Sequence, residues 1–254
     1  MEEIVGLIEK NGLVFAFVVV GVVMWVSYQL SDRLSAGRVH GSAVAIILGL
    51  VLAWIGGRVT GGSSGLADMP LFAGIGIMGG SMLRDLAIVS TAYGVDMREI
   101  RKAGTAGVLS LIMGIVLSFV VGAVVAASFG YTDAVSMATI GGGAATYIVG
   151  PVTGTALGAS SDVIALSVAA GLLKAVLVMI GTPFVAPVIG LNNPKSAMAY
   201  GGLMGTTSGV AGGLAATDKR LVPYGAMTAT FYTGLGCLMG PSVIYLVLLQ
   251  LTGG

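Results

Sequence analysis

The sequence predicts an all-α polytopic integral membrane protein, and three observations carry that prediction. Of 254 residues, 56% belong to the AVILMFWYC set and only 9% are charged, against about 25% charged in water-soluble domains. A surface so poor in charge cannot face water throughout, so the lipid bilayer is the implied solvent. Charge-free runs also recur at the ~20-residue length that crosses a hydrocarbon core about 30 Å thick. Finally, the 42 glycines show no Gly-X-Y period and only 7 prolines accompany them, which excludes collagen and disordered linkers.

About eight hydrophobic segments follow in order: 11–31, 41–57, 69–92, 103–132, 134–161, 175–194, 196–217 and 221–254. Arg84 and Asp85 interrupt the third. Glu2, Glu3 and Glu9 precede the first, where a signal peptide would carry positive charge, so that run reads as a retained helix. Lys and Arg in short loops resist translocation. With eight alternating spans, Arg33, Arg38, Arg98, Arg101, Lys102, Lys219 and Arg220 share one side, and Lys10, Arg58 and Lys195 the other. Both termini are therefore expected outside, and a single transmembrane transporter domain, 1–254, is expected to account for the chain.

Several functions are excluded by composition. A net charge of +1 with no dense basic cluster gives no grip on nucleic acid. Cys237 and His40 are the single cysteine and histidine, so no internal disulfide and no His-based zinc, haem or triad chemistry can be built. Gly74-Ile75-Gly76-Ile77-Met78-Gly79 satisfies the GxGxxG pattern but lacks the strand and βαβ setting of a dinucleotide site. Neither enzymatic activity nor a cofactor is expected.

Glycine concentrates at 74–80, 141–158 and 201–213. Gly150, Gly154 and Gly158, like Gly201, Gly205, Gly209 and Gly213, repeat every four residues and would form stripes on a helix. Gly141-Gly142-Gly143 and Gly150-Pro151 also weaken the helix, because glycine costs about 1 kcal/mol against alanine and proline removes a backbone bond. These segments are expected to break or re-enter. Broken helices at membrane depth persist only where protein or water satisfies the backbone, and transporters use them: half-helix N-termini suit carboxylates, and unwound carbonyls suit sodium.

On that reading Thr146, Thr153, Thr155, Thr206, Thr207 and Ser208 bind an anionic substrate, with Lys174 and Arg84 as its cations. Gly142, Gly143, Gly150, Gly205, Gly209, Asp85 and Asp162 are the candidates for the ion site. A mid-membrane lysine costs about 2.5–3.5 kcal/mol on insertion scales, which favours a functional role. The plainer alternatives are glycines that only pack helices, hydroxyls that bond back to helix carbonyls, Asp162 as a helix cap, and Lys174 at the edge of a tilted helix. A weak repeat links Gly154–Leu157 and Gly181-Thr182-Pro183 with Gly212–Ala215 and Gly240-Pro241, offset by about 58 residues. Two full crossings per unit would make it a parallel repeat, whereas a re-entrant hairpin in the unit would make it inverted.

The stretches 71–86 (LFAGIGIMGGSMLRDL), 140–161 (IGGGAATYIVGPVTGTALGASS) and 199–220 (AYGGLMGTTSGVAGGLAATDKR) carry a family resemblance. Over nearly its whole length the chain resembles the MadM subunits of bacterial malonate transporters. The resemblance implies the dicarboxylate malonate as substrate, sodium as coupling ion, the smaller membrane subunit MadL as partner, and the bacterial inner membrane as location. It assigns no ligands residue by residue. The Gly-rich pairs are also similar to those of carboxylate transporters with two crossover segments and a moving transport domain. The expected function is the larger subunit of a sodium:malonate symporter working by alternating access. The alternatives are a passive anion channel, or an assembly subunit whose carrier site lies on its partner.

Overall fold

The computed structural model describes residues 2–35, 39–62, 65–78 and 97–253. Arg84 and Asp85 lie outside the described residues. The described residues are helical, with no strand among them, and five helices are long and apolar enough to cross a membrane. The chain forms two compact units, 1–90 and 91–254.

In the first unit α1 (Glu2–Lys10) leads into α2 (Gly12–Ser35), which pairs with α3 (Gly41–Thr60). The turn between α2 and α3 is fastened by the Ser31 hydroxyl, which donates to the Val39 carbonyl, and by His40, whose ring lies edge-on to Tyr28 at 5.4 Å. Two single 3-10 turns, Gly65–Asp68 and Pro70–Phe72, bring α4 (Ala73–Met78) back onto α2. There Gly74 meets Gly12 backbone to backbone, so close that a Cβ on Gly74 would fall 1.9 Å from the Gly12 carbonyl oxygen.

The second unit holds the Gly-rich segments. It begins with α5 (Met97–Ser128), which turns sharply at Gly104, where φ is +49°. A first broken segment follows: α6 (Ala134–Ala145), an interruption at 146–148, and α7 (Val149–Leu157). The 25-residue α8 (Ser161–Val185) rises about 37 Å, enough to cross a bilayer. A second broken segment consists of α9 (Pro194–Met204), an interruption at 205–206, and α10 (Thr207–Ala215). Then α11 (Val222–Met239) continues through a π turn at Gly240–Ile244 into α12 (Tyr245–Thr252). The wider turn absorbs Pro241, which cannot donate an N–H to the turn before it.

Both broken segments fold back on themselves. A Cβ on Gly142 would stand 3.2 Å from the Gly150 Cα, and one on Gly154 would stand 2.7 Å from the Thr139 side chain. The contacts step backwards along α6 as they step forwards along α7, which defines an antiparallel hairpin. The second segment reverses too, as its neighbours α8 and α11 show. Ala175, Met179 and Thr182 meet Gly209, Gly212 and Gly213 in turn, so α10 runs with α8. By contrast α9 runs with α11, since Gly201 meets Gly225 and Gly205 meets Tyr232, whereas α10 opposes α11 through Thr207 and Thr230.

Segments 134–161 and 196–217 are therefore re-entrant hairpins. Each repeat is one hairpin plus one crossing helix, an odd number of crossings, so the repeat is inverted. The packing agrees. Along α8, Ser167 and Gly171 press on the first hairpin and Ala175 to Thr182 on the second. Along α11 the order is opposite, with Gly225 on the second hairpin and Gly236 and Gly240 on Val149 and Thr153 of the first. The helix bounds give the register: α10 begins and ends 58 residues after α7 (207 − 149 = 58; 215 − 157 = 58).

Two expectations are corrected here. The first interruption is not at Gly150-Pro151 but upstream at 146–148, because Pro151 stands in the first turn of α7, where its missing N–H costs nothing. Gly141 to Gly143 stay helical within α6. Lys195 also changes sides. Because the hairpins do not cross, Lys195 at the start of α9 and Lys219 and Arg220 before α11 lie at one end of the unit. Asp133 and Asp162 lie at the other.

Candidate functional site

The two hairpin tips enter from opposite ends of the second unit and meet at the middle of α8. At the first tip Thr146 ends α6 in extended geometry, and its Oγ1 accepts the Ile148 and Val149 N–H groups at 3.2 and 3.1 Å. One hydroxyl thus starts the second arm. At the second tip Gly205 ends α9 with φ at +71°, a left-handed conformation glycine adopts without strain. Glycine is also required by space, since a Cβ there would lie 2.3 Å from the Tyr232 ring. Thr206 Oγ1 then accepts the Gly209 N–H at 3.4 Å and caps α10.

Lys174 joins these pieces. Its Nζ donates to the Ala145 carbonyl oxygen, the last of α6, and to Ser118 Oγ of α5, each at 3.0 Å. It also stands 5.3 Å over the Tyr232 ring of α11. The Tyr232 hydroxyl in turn donates to the Gly114 carbonyl of α5 at 3.2 Å. A helix C-terminus carries partial negative charge, so an ammonium on the last carbonyl of α6 is favourably placed. An ammonium has three donors, and two are used here. The N-termini of α7 and α10 present partial positive charge at the same level. Around this level the oxygens are hydroxyls and main-chain carbonyls, neutral donors of the kind that hold sodium in broken-helix transporters.

Among the described residues, two hydroxyls are buried without a hydrogen-bond partner: Thr153 Oγ1 on α7 and Ser208 Oγ on α10. Thr153 is fully buried and faces Gly240, whose Cβ, were there one, would lie 2.3 Å from it. At the outer end of the first hairpin Asp133 caps α6, its carboxylate accepting the Ser136 N–H at 2.8 Å. Partial burial pushes the Asp133 carboxyl up, but the hydrogen bonds from Ser136 outweigh it and leave its pKa below the ordinary carboxylate value. Asn193 and Ser196 cap α9 in the same way.

Among the residues singled out in the sequence, the structure gathers Lys174, Thr146, Gly205, Thr206, Thr207 and Ser208 at or next to the tips. Thr153 lies deeper along α7, and Thr155 is exposed on that helix. Asp162 is exposed in the first turn of α8, which Ser160 caps, about 18 Å along the helix from Lys174. Gly142, Gly143, Gly150 and Gly209 occupy close backbone approaches: a Cβ on Gly143 would fall 2.2 Å from the Ser167 carbonyl oxygen, and one on Gly209 would fall 2.7 Å from that of Ala175. Ser118 and Tyr232 were not anticipated. The repeat register could have found Tyr232, because it stands 58 residues after Lys174 (232 − 174 = 58).

Comparison with curated proteins and with solved structures returns no match. The family model described as the malonate/sodium symporter MadM subunit, a transporter rather than an enzyme class, matches residues 4–252. With nearly the whole chain matched, and with helices of membrane-crossing length, the chain belongs to the MadM family of malonate/sodium symporter subunits.

Proposed function

We propose that this chain is the larger, substrate-carrying subunit of a bacterial inner-membrane malonate importer, coupled to sodium and working by alternating access with the smaller subunit MadL. The observation that supports it most is the meeting of two opposed hairpin tips at Lys174 and Tyr232. Malonate is a dianion at neutral pH and needs compensation in a site of low dielectric. The N-termini of α7 and α10, the remaining donor of Lys174, and the hydroxyls of Thr207 and Ser208 supply it, together with cotransported sodium. The close-packed middle, where Thr146, Thr206 and Tyr232 are buried, favours a carrier over an open anion pore. Basic residues mark the cytoplasmic side of membrane proteins. In this reading the end carrying Lys195, Lys219 and Arg220 faces the cytoplasm, and the C-terminus lies outside.

The test is uptake of labelled malonate by the two-subunit complex in proteoliposomes. An inward sodium gradient is expected to drive accumulation, and internal unlabelled malonate to accelerate entry. Undiminished uptake with choline in place of sodium removes the coupling. Entry without acceleration by internal malonate points instead to a pore.

A further inference from the structure

We propose that sodium binds at the tip of the second hairpin, between the carbonyl end of α9 at Met204 and Gly205 and the hydroxyl of Ser208, taking the role that the Lys174 ammonium fills at the first tip. The inference rests on the sodium coupling proposed above and places its ion. It comes from an asymmetry between the two repeats. Each hairpin's first arm points its C-terminal, partially negative end at the middle of the unit. At the first hairpin that end is met by a tethered cation: Lys174 Nζ lies 3.0 Å from the Ala145 carbonyl oxygen. The repeat register puts Tyr232 where a second lysine would stand, and the Gly205 turn packs on its neutral ring.

No side-chain cation substitutes for it among the described residues of these helices. In α8 to α11 the basic residues are Lys174 and Lys195, and Lys195 belongs to the outer end of α9. The second tip also holds a hydroxyl with no protein partner, since Ser208 Oγ is buried and unbonded three residues from Gly205. Burying a polar atom without a partner is costly, and a cation at the carbonyl end of α9 removes both deficits at once. The matching first-tip residue, Gly150, has no hydroxyl, which agrees with a site that needs none because its cation is covalently attached.

Binding of radiolabelled sodium to the purified two-subunit complex, without malonate, tests this. Ser208→Ala is expected to weaken this malonate-free sodium binding about tenfold, with the complex still monodisperse on size-exclusion chromatography. An unchanged sodium affinity in Ser208→Ala overturns the site. A second measurement uses Thr207→Cys in a Cys237→Ser background. Sodium alone, against choline, is expected to slow thiol labelling at the tip, and an unchanged labelling rate overturns the site. If the unsubstituted complex binds no sodium, the coupling itself fails. If it binds sodium and Ser208→Ala binds it equally, only the placement fails.

Discussion

The two hairpins solve one folding problem in different ways. In the first, the arms lock to each other: Gly142 abuts Gly150, Gly154 abuts Thr139, and a three-residue tip is held by the Thr146 hydroxyl and the Lys174 ammonium. In the second, the arms face away from each other. The glycines of α9 dock it on α5 and α11 through Gly202 and Gly201, while those of α10 dock it on α8 through Gly209, Gly212 and Gly213. A tip held by its own arms keeps its shape when its neighbours move, whereas a tip held by three neighbours follows them. Small residues therefore do two distinct jobs in one chain, and spacing alone does not separate them.

Substitutions separate the two hairpins most strongly at their tightest glycine contacts. Gly143→Val and Gly201→Val each add atoms 2.2 Å from a carbonyl oxygen of the neighbouring helix. Each is expected to cost about 3 kcal/mol or more, read as loss of monodisperse complex on size-exclusion chromatography. Survival of one but not the other would mean that one hairpin yields. Next, Lys174→Met is expected to lower malonate uptake about 100-fold, equal to about 2.7 kcal/mol, because the end of α6 loses its cation. It should also steepen the sodium dependence, since the first tip then needs an ion as well.

Smaller effects follow from the caps. Thr146→Val strips two N–H groups of their acceptor and should cost about 1–2 kcal/mol in a thermal melt of the complex. Thr206→Val removes one long bond and should cost about half as much. The smallest effect belongs to Asp133→Asn, within about 0.5 kcal/mol, because asparagine caps as well as aspartate and does so at Asn193. Its signature is in pH. The depressed pKa of Asp133 means that its carboxylate contributes stability above the ordinary carboxylate pKa and loses it as pH falls through the lowered value. The asparagine variant should lose that acid dependence.

Much of this was legible in the sequence, for physical reasons. Apolar runs with few charges dictate membrane helices, and glycine clusters in two of those runs mark where helices give way. The repeat was visible as Gly154–Leu157 against Gly212–Ala215, and the bounds of α7 and α10 reproduce its offset. What stayed hidden depends on contacts far apart in the chain. Whether α7 continues α6 or folds back on it is decided by Gly142 meeting Gly150 and Ser167 filling the gap beside Gly143. Pro151 misled because proline breaks a helix in its interior but begins one readily. Tyr232 carried no signal of its own, being one aromatic residue in an apolar run until the register pairs it with Lys174.

The shortness of the hairpin arms has a consequence for how the protein is made. Arms of 12, 9, 11 and 9 residues fall well under the ~20 apolar residues that insertion machinery accepts as a crossing. Neither hairpin can partition into lipid when it leaves the ribosome. Each has to slide in beside a wall already standing, which is α5 for the first hairpin and both α5 and α8 for the second. Each hairpin thus enters sideways, from the edge of helices threaded before it, rather than by the crossing step its long neighbours take.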